Sequence, residues 1–414
     1  LFSKNLRIDE ISISNFDIKE FEKIKKLISF EGIGDFEKNI LSFILSMNFD
    51  KIYLSNISFD GGILFPFNTP FGDFTTFNDE SEYAKNIIGE FEITNWNELS
   101  FDKILTKDLI IQQGENQFSF NEFLIEEFQI NTDFTYDLLK SKASQQLLLN
   151  GDYSEIFNSL NKLDNFTISN LKIILNNLSF YSLDSFKIQN VVFDYFGNNK
   201  EIKVPISLNF EINGSKYNYM NLSNTYGIGS TFFDILAYDL GYDQIKLDFG
   251  AKWNWDTIEN NAKLGLNLGV KNAGSLELTT DLVDLDTNIL NTKGSQLDTY
   301  LLTEPKLKYF DISLIDNSFM DKIIAFSAKD YGRSVEQHKD FLIQSMNLYS
   351  TTLGIDQIIY GELISALANF ISESDKIKIE INPKAPVSVN DLIPDIISQN
   401  YNNLNKKLNL SIGN

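Results

Sequence analysis

The strongest constraint on the fold is a period-two alternation of apolar and polar residues over about 163–285. From Leu247 to Trp255 every second residue is apolar, and the residues between are charged, Gly or Asn. The segments 206–212 and 264–270 repeat the pattern. This alternation is typical of antiparallel strands with one apolar and one solvated face.

Turn signals separate these segments at short intervals. Asn213-Gly214 is a strong hairpin signal, because both residues adopt left-handed backbone readily. Turns are also predicted around Glu259-Asn260-Asn261 and Asn272-Ala273-Gly274. The sequence therefore predicts a meander of antiparallel strands.

The last quarter of the chain has the spacing of helices. Helices are predicted over 319–331, 334–353 and 355–372, followed by a strand over Lys376–Ile381. Gly332 is placed to end the first helix, and Ser334 with Gln337 forms a capping box for the second. Short connections at Gly332 and Gly354 favour a compact antiparallel three-helix unit.

The first 162 residues combine helical spacing with short strands, including a predicted helical hairpin over 135–163. Between Gly62 and Gly72 lies a Pro-punctuated loop containing Phe65, Phe67 and Phe71. A loop this apolar is expected either to cover the core as a lid or to meet a partner or membrane surface. Both possibilities stay open.

These patterns predict an α+β protein with a long coiled antiparallel β-sheet, packed helices and a C-terminal three-helix unit. Three regions are expected: a mixed α/β region over 1–162, the β-meander over 163–305, and a helical region with a closing strand over 306–414.

A six-residue pattern recurs: apolar, any, Asn, apolar, any, apolar. The apolar residues are at an odd position before the Asn and at even positions after it. In a regular strand the apolar side chains after the Asn would therefore point to the opposite face. A bulge or tight turn at a left-handed Asn restores the facing and bends the strand. The alternative is an Asn-rich chain that simply makes many turns. The six copies centre on Asn15, Asn56, Asn165, Asn170, Asn177 and Asn190.

Composition excludes several classes of function. The 57 Asp and Glu against 35 Lys and Arg give a net charge of −22, which repels nucleic-acid backbones. With no Cys, disulfides and thiolate metal sites are excluded. The chain starts at Leu1 rather than Met, which favours an exported protein that has lost a signal peptide or anchor, with a domain boundary as the alternative.

No catalytic, cofactor or metal site can be identified in the sequence. The only histidine, His338, is expected to face solvent on a helix. The glycine pairs at 32–34 and 227–229 lack the third glycine of a dinucleotide loop. Four residues with oxygen ligands have calcium-like spacing: Asp281, Asp284, Asp286 and Asn288. However, Ile289 stands where the loop requires Gly, and no Glu lies at the end of the loop. We therefore expect a non-enzymatic protein without cofactors.

Two stretches resemble envelope proteins of Gram-negative bacteria. The Asn-centred segments and the meander over 244–282 resemble AsmA-like and YdgA-like proteins. The tail over 308–393, with Asp316-Asn317-Ser318-Phe319 and Pro383-Lys384-Ala385-Pro386-Val387, is similar to an exported alphaproteobacterial family of unknown function. The resemblance implies a periplasmic or envelope location and a part in lipid traffic or membrane upkeep.

The leading hypothesis is an envelope protein that binds or moves lipid in an apolar groove of its sheet, with lipid or another envelope protein as partner and no nucleic acid. Phe210, Phe249, Trp253 and Trp255 are the candidate binding residues, although a sealed core would use the same face. The alternatives are a structural or assembly subunit that uses strand edges and apolar loops, and an enzyme acting through unrecognised carboxylates. The oligomeric state is left open.

Overall fold

The computed structural model describes residues 4–19, 22, 43, 46–60, 84–97, 100–130, 160–175, 177–196, 202–217, 240–242, 245–286, 300, 303–353, 357–373, 375–398 and 400–413. They divide into two compact units, 1–194 and 195–414. Every strand pairing in the described residues is antiparallel, and the meander that the alternation predicts for 163–285 is present.

The described residues of the first unit form nine strands. β4 pairs with the short strands β1, β2 and β3 on one side and with β5 on the other, and β5 to β9 follow in chain order. The strands are β1 (Lys4–Arg7), β2 (Glu10–Ser14), β3 (Asp17–Ile18), β4 (Met47–Asp60), β5 (Lys85–Asn97), β6 (Phe101–Gln113), β7 (Asn116–Ile130), β8 (Leu160–Leu175) and β9 (Leu178–Phe196).

In the described residues of the second unit there are eight strands and five helices. β10 to β15 pair in chain order, β17 pairs with β15, and β16 pairs with β14. The elements are β10 (Ile202–Tyr217), β11 (Leu247–Asp256), β12 (Asn261–Val270), β13 (Gly274–Val283), β14 (Lys306–Asp316), α1 (Phe319–Asp330), α2 (Val335–Leu353), α3 (Gln357–Glu373), β15 (Lys376–Ile381), β16 (Val387–Ser388), α4 (Val389–Ile397), α5 (Tyr401–Leu408) and β17 (Leu410–Gly413).

Within the first 162 residues the described strands are longer than the sequence suggests. β4 to β7 each contain 13 to 15 residues. The helical hairpin predicted over 135–163 lies almost entirely outside the described residues, and its last four positions belong to β8. The Phe-rich loop with Phe65, Phe67 and Phe71 also lies outside the described residues.

The predicted Asn bends are largely confirmed. Five of the six Asn residues at the centres of the repeat have positive φ, between 49° and 61°. Asn165 is the exception, and its side chain instead donates to Glu126 at 2.9 Å. The five are Asn15, Asn56, Asn170, Asn177 and Asn190.

The bends line up across the first sheet in two transverse rows. Ser55 pairs with Glu90 and Ile57 with Ile88, so Asn56 lies opposite Gly89. The same register continues from strand to strand. The first bend row is Asn56, Gly89, Asp108, Asn121, Asn170 and Asp184, and the second is Asn15, Asp50, Asn95, Asp102, Glu127, Asp164 and Asn190.

The left-handed residues alternate between these rows. In the first bend row they lie on β4, β6 and β8, and in the second they lie at the β2–β3 junction and on β5, β7 and β9. In the second row the amides of Asn15 and Asn95 each donate to the Asp opposite. Asn and Asp tolerate this backbone better than most other residues, and six of the seven left-handed residues in the rows are Asn or Asp.

The bend rows keep the apolar side chains on one face. Phe120 and Phe123 flank Asn121 and lie three positions apart, which in a regular strand would place them on opposite faces. Their rings are nevertheless 6.2 Å apart. Beside the second row a stack of aromatic rings crosses β4 to β7. Its neighbours are 4.9 to 6.1 Å apart, and its members are Phe49, Trp96, Phe101 and Phe128.

One predicted turn is wrong. Asn213-Gly214 does not form a hairpin, because β10 continues to Tyr217. Gly214 has φ 66° and forms a bulge, so the register with β11 shifts between Ile212 and Ser215. The Asp248 carboxylate on β11 accepts the Gly214 N–H at 2.6 Å and keeps the two strands together.

The C-terminus of α1 and the N-terminus of α2 form as predicted. Gly332, with φ 64°, follows α1, and the Arg333 N–H donates to the Ala328 carbonyl at 2.9 Å. At α2 the Gln337 N–H donates to Ser334 Oγ at 3.2 Å, and the Ser334 N–H donates to Gln337 Oε1 at 3.1 Å. The capping box is therefore confirmed.

Loss of this cap is expected to have a modest effect. Ser334→Ala should lower the free energy of unfolding by about 1 kcal/mol, because the Gln337 N–H loses its acceptor. Urea unfolding measures this, with Ser334→Thr as the control that keeps the hydroxyl. A Ser334→Ala midpoint equal to that of the parent would show that the cap contributes nothing.

Candidate functional site

A row of exposed apolar side chains crosses four neighbouring strands of the second unit. Phe249 pairs with Leu268, Leu268 with Leu276, and Leu276 with Leu314. Residues directly opposite in antiparallel strands share a face. Their exposed fractions are between 38 and 52%. We call these four residues the leucine row.

A second line of apolar side chains runs beside the leucine row. It lies two residues further along each strand and therefore on the same face. Its members are Ala251, Leu266, Leu278 and Ile312. Together the two lines form an uncharged apolar surface on β11 to β14.

At one side this surface ends against α1. Leu247 and Val270 continue the apolar face and pack on a buried cluster that contains Tyr242 and Ala273, together with Phe319, Ile323 and Phe326 of α1. The Tyr242 hydroxyl is 2.8 Å from Ser318 Oγ, and burial raises the pKa of Tyr242. Lys322 Nζ lies 3.7 Å from the centre of the Tyr242 ring.

At the opposite side the surface ends in a tryptophan cluster. Trp255 is only 6% exposed and packs with Ala262 and Leu285, and its Nε1 donates to the Leu285 carbonyl at 3.0 Å. Trp253 lies against this cluster, and its Nε1 donates to the Pro205 carbonyl at 3.0 Å.

The helix α3 covers the continuation of the leucine row on β15. Leu314 pairs with Ile377, which is buried against Ala366 and Phe370 of α3. The same face is therefore covered by a helix at β15 and exposed from β11 to β14. Three buried clusters border the exposed part.

The four aromatic residues predicted from the sequence do not all have the same surroundings. Phe249 belongs to the exposed leucine row, and Phe210 on β10 lies 5.7 Å from it, ring centre to ring centre. Trp255 belongs to a sealed core, and Trp253 lies at its margin. The sequence analysis did not select Leu268, Leu276 and Leu314. Their exposure depends on which strands the helices cover, and this is not visible in the sequence.

The opposite face of this sheet carries an ion-pair network. Lys378 Nζ is 2.6 Å from Glu380 and donates to the Tyr309 hydroxyl at 3.3 Å. The Tyr309 hydroxyl donates to Asp311 at 2.7 Å. The hydrogen bond to Glu380 raises the pKa of Lys378 above its usual range, and the same bond lowers the pKa of Glu380. Neither group is poised to exchange a proton near neutral pH.

Two of the Asp residues with calcium-like spacing in the sequence form ion pairs. Asp284 lies 2.7 Å from Lys306 Nζ, and Asp281 lies 3.7 Å from Lys263 Nζ. Within the part of the chain that the structure describes, no three Asp, Glu or His side chains converge to hold a metal ion.

The prediction for His338 is wrong. Its side chain does not face solvent, because it is only 2% exposed. The imidazole stacks between the rings of Tyr331, at 5.6 Å, and Phe341, at 6.1 Å. The turn between α1 and α2 folds Tyr331 back over α2, and Arg333 also covers Phe341 at 3.9 Å.

A second apolar surface lies on the first unit. Ile11 and Ile13 of β2 and Ile18 of β3 are exposed. In the described residues β2 and β3 each pair with β4. This segment has the features of an exposed sheet edge.

The fold and these surfaces define an antiparallel β-sheet protein with an exposed apolar face bordered by helices. A family model described only as an uncharacterised protein matches residues 267–414, from β12 onward, which is less than half of the chain. A comparison with curated proteins gives no significant match. Among the described residues, no helix combines the length and the apolar character that crossing a membrane requires.

Proposed function

We propose that the protein is a non-enzymatic component of the cell envelope, periplasmic or membrane-anchored, which binds lipid acyl chains on the apolar surface of its second unit. The observation that carries this proposal is the leucine row, four apolar side chains exposed in register across four strands. A contiguous apolar surface is costly to leave in water and marks a binding site.

The length of the leucine row and the buried clusters at its borders favour a long apolar ligand. The row crosses four strands spaced about 4.8 Å apart, so it spans about 14 Å, comparable to an extended acyl chain of about a dozen carbons. Buried clusters border it at α1, at the tryptophans and at α3. The envelope location rests on the resemblance of the meander and the tail to envelope proteins.

We also infer that α1, α2 and α3 form a compact antiparallel three-helix unit beside this surface. Two contacts of one lysine support it. Lys339 on α2 lies 3.1 Å from Asp321 of α1 and donates to the Ser372 carbonyl of α3 at 3.2 Å.

Polar substitution in the leucine row is expected to weaken acyl binding. Leu268→Gln with Leu276→Gln should reduce the affinity for a fluorescent long-chain fatty acid about a hundredfold, or about tenfold for each leucine withdrawn from the contact. Fluorescence titration measures the affinity, and thermal unfolding checks that the fold is intact.

The matched control is Ile11→Gln with Ile13→Gln, which removes two exposed apolar side chains from the first unit. Fatty-acid affinity should not change in this variant. Equal loss of affinity in both variants would contradict a specific site on the second unit.

A structural or assembly role is the second candidate function, and the exposed apolar edge at β2 and β3 favours it. In that case Ile11→Gln with Ile13→Gln would change the molecular mass in light scattering, while the leucine-row variant would not. An unchanged mass in the edge variant would count against assembly through this edge.

A further inference from the structure

A lysine of α1 lies at the border between this helix and the apolar surface of the second unit. The Nζ of Lys322 is 3.7 Å from the centre of the Tyr242 ring, and it donates to the Gly241 carbonyl at 3.4 Å. Tyr242 is buried in the cluster on which Leu247 packs. Leu247 lies two residues before Phe249 on β11 and therefore on the same face. This chain of contacts connects the ammonium group to the leucine row.

The ammonium group of Lys322 has capacity for a further partner. An ammonium group has three N–H donors, and Lys322 uses one of them on a backbone carbonyl. Its contact with the ring of Tyr242 is a cation–π interaction, which positions the side chain without neutralising its charge. Among the residues that the structure describes, no carboxylate forms an ion pair with Lys322. The group can therefore receive an anion from a ligand.

Two carboxylates near this border have other partners. Asp316, at the end of β14, is buried, and its carboxylate accepts the Met320 N–H at 2.9 Å. That N–H belongs to the first turn of α1, where the helix dipole offsets negative charge. Asp321 lies 3.1 Å from Lys339 of α2. Neither carboxylate neutralises Lys322.

The tryptophan side of the surface has the opposite electrostatic character. The described residues there, over 256–263, 281–286 and 303–308, include six carboxylates and three lysines. Two of the lysines, Lys263 and Lys306, are held in ion pairs with aspartates. The excess of negative charge repels an anionic headgroup from this side. The carboxylates are Asp256, Glu259, Asp281, Asp284, Asp286 and Glu304, and the third lysine is Lys308.

We propose that the ligand of the leucine row is a fatty acid whose carboxylate pairs with Lys322 while its acyl chain lies on the row. One ammonium group matches the single charge of a carboxylate, and the acidic tryptophan side fixes the direction in which the ligand lies. The inference rests on the proposed acyl binding and adds the class of ligand. A neutral lipid with the same chain lacks the ion pair.

Titration calorimetry with dodecanoate and with dodecanol tests the proposal, because the two ligands share a chain length and differ in charge. Lys322→Met should lower the affinity for dodecanoate about tenfold, since a hydrogen-bonded ion pair is lost, and should leave the affinity for dodecanol unchanged. Methionine keeps an unbranched apolar chain against the Tyr242 ring. Thermal unfolding checks that the variant is folded.

Lys329→Met is the matched control. Lys329 is an exposed lysine of the same helix, two turns beyond Lys322, so its substitution changes the net charge equally at a distance from the border. It should keep the parent affinity for dodecanoate, as should Lys322→Arg, which retains the positive charge.

Three results would overturn the headgroup site while leaving acyl binding intact. They are an unchanged dodecanoate affinity in Lys322→Met, an equal loss for dodecanoate and dodecanol in that variant, and an equal loss of dodecanoate affinity in Lys329→Met. A parent protein that binds neither ligand would contradict acyl binding itself, and the headgroup site with it.

Discussion

Trp255→Ala is expected to lower the free energy of unfolding by about 3–5 kcal/mol, because it leaves a cavity in a sealed cluster and removes a buried hydrogen bond. Phe249→Ala, on the same strand and the same face, should cost about 1 kcal/mol, since Phe249 is exposed. Urea unfolding of the two variants measures the difference.

The pair of variants separates the sealed part of the sheet face from the exposed part. Phe249→Ala should also lower the affinity for a fatty acid. A well-folded variant outside the leucine row should keep the affinity of the parent. If both substitutions destabilised the protein equally, the face near Phe249 would be covered in solution and the leucine row would not be a surface.

The bend rows predict the second large effect. Asn56→Val with Asn170→Val should lower the free energy of unfolding by about 2–4 kcal/mol, because a β-branched residue pays about 1–2 kcal/mol at each left-handed position. Asn56→Gly with Asn170→Gly should change it by less than about 1 kcal/mol, since glycine adopts this backbone without steric cost.

Asn121→Val is the matched control for the bend rows. Asn121 lies in the first bend row but outside the left-handed region, where a β-branched residue suits a strand. Its stability should stay within about 0.5 kcal/mol of the parent value. A cost at Asn121 as large as that at Asn56 would mean that the rows depend on the amide side chain rather than on the backbone conformation.

The bends were partly predictable because the change in apolar parity is a local signal. The pattern identified Asn56 and Asn170 but not Asp108 or Glu127, which adopt the same backbone without an Asn. Asp108 and Glu127 can be assigned to the bend rows only once the pairing register of the strands is known. Gly89, whose missing Cβ would lie 3.2 Å from the Asp108 Cβ, is another member that no local pattern marks.

The failure at Asn213-Gly214 has a physical reason. The local preference of this dipeptide for left-handed backbone is satisfied, because Gly214 has positive φ. Pairing with β11 on both sides of the bulge outweighs the tendency to reverse the chain. The preference fixed the conformation of one residue but not the path of the strand.

The candidate site shows the same division between local and tertiary information. Alternation placed Phe249 and Trp255 on one face, and the register confirms that they share it. Whether that face is sealed or exposed depends on α1, α3 and the cluster around Leu285, which are distant in sequence. For the same reason His338, polar and on a helix, is buried by the fold of the α1–α2 turn.

Native mass spectrometry of the purified protein, with lipid extraction of the same sample, tests the central claim most directly. Acyl lipid should co-purify with the parent protein, appear as a mass adduct, and be lost in Leu268→Gln with Leu276→Gln while the edge variant Ile11→Gln with Ile13→Gln retains it. A parent protein that carries no lipid and takes up none when incubated with fatty acid would contradict the claim, as would lipid retained equally in the leucine-row variant.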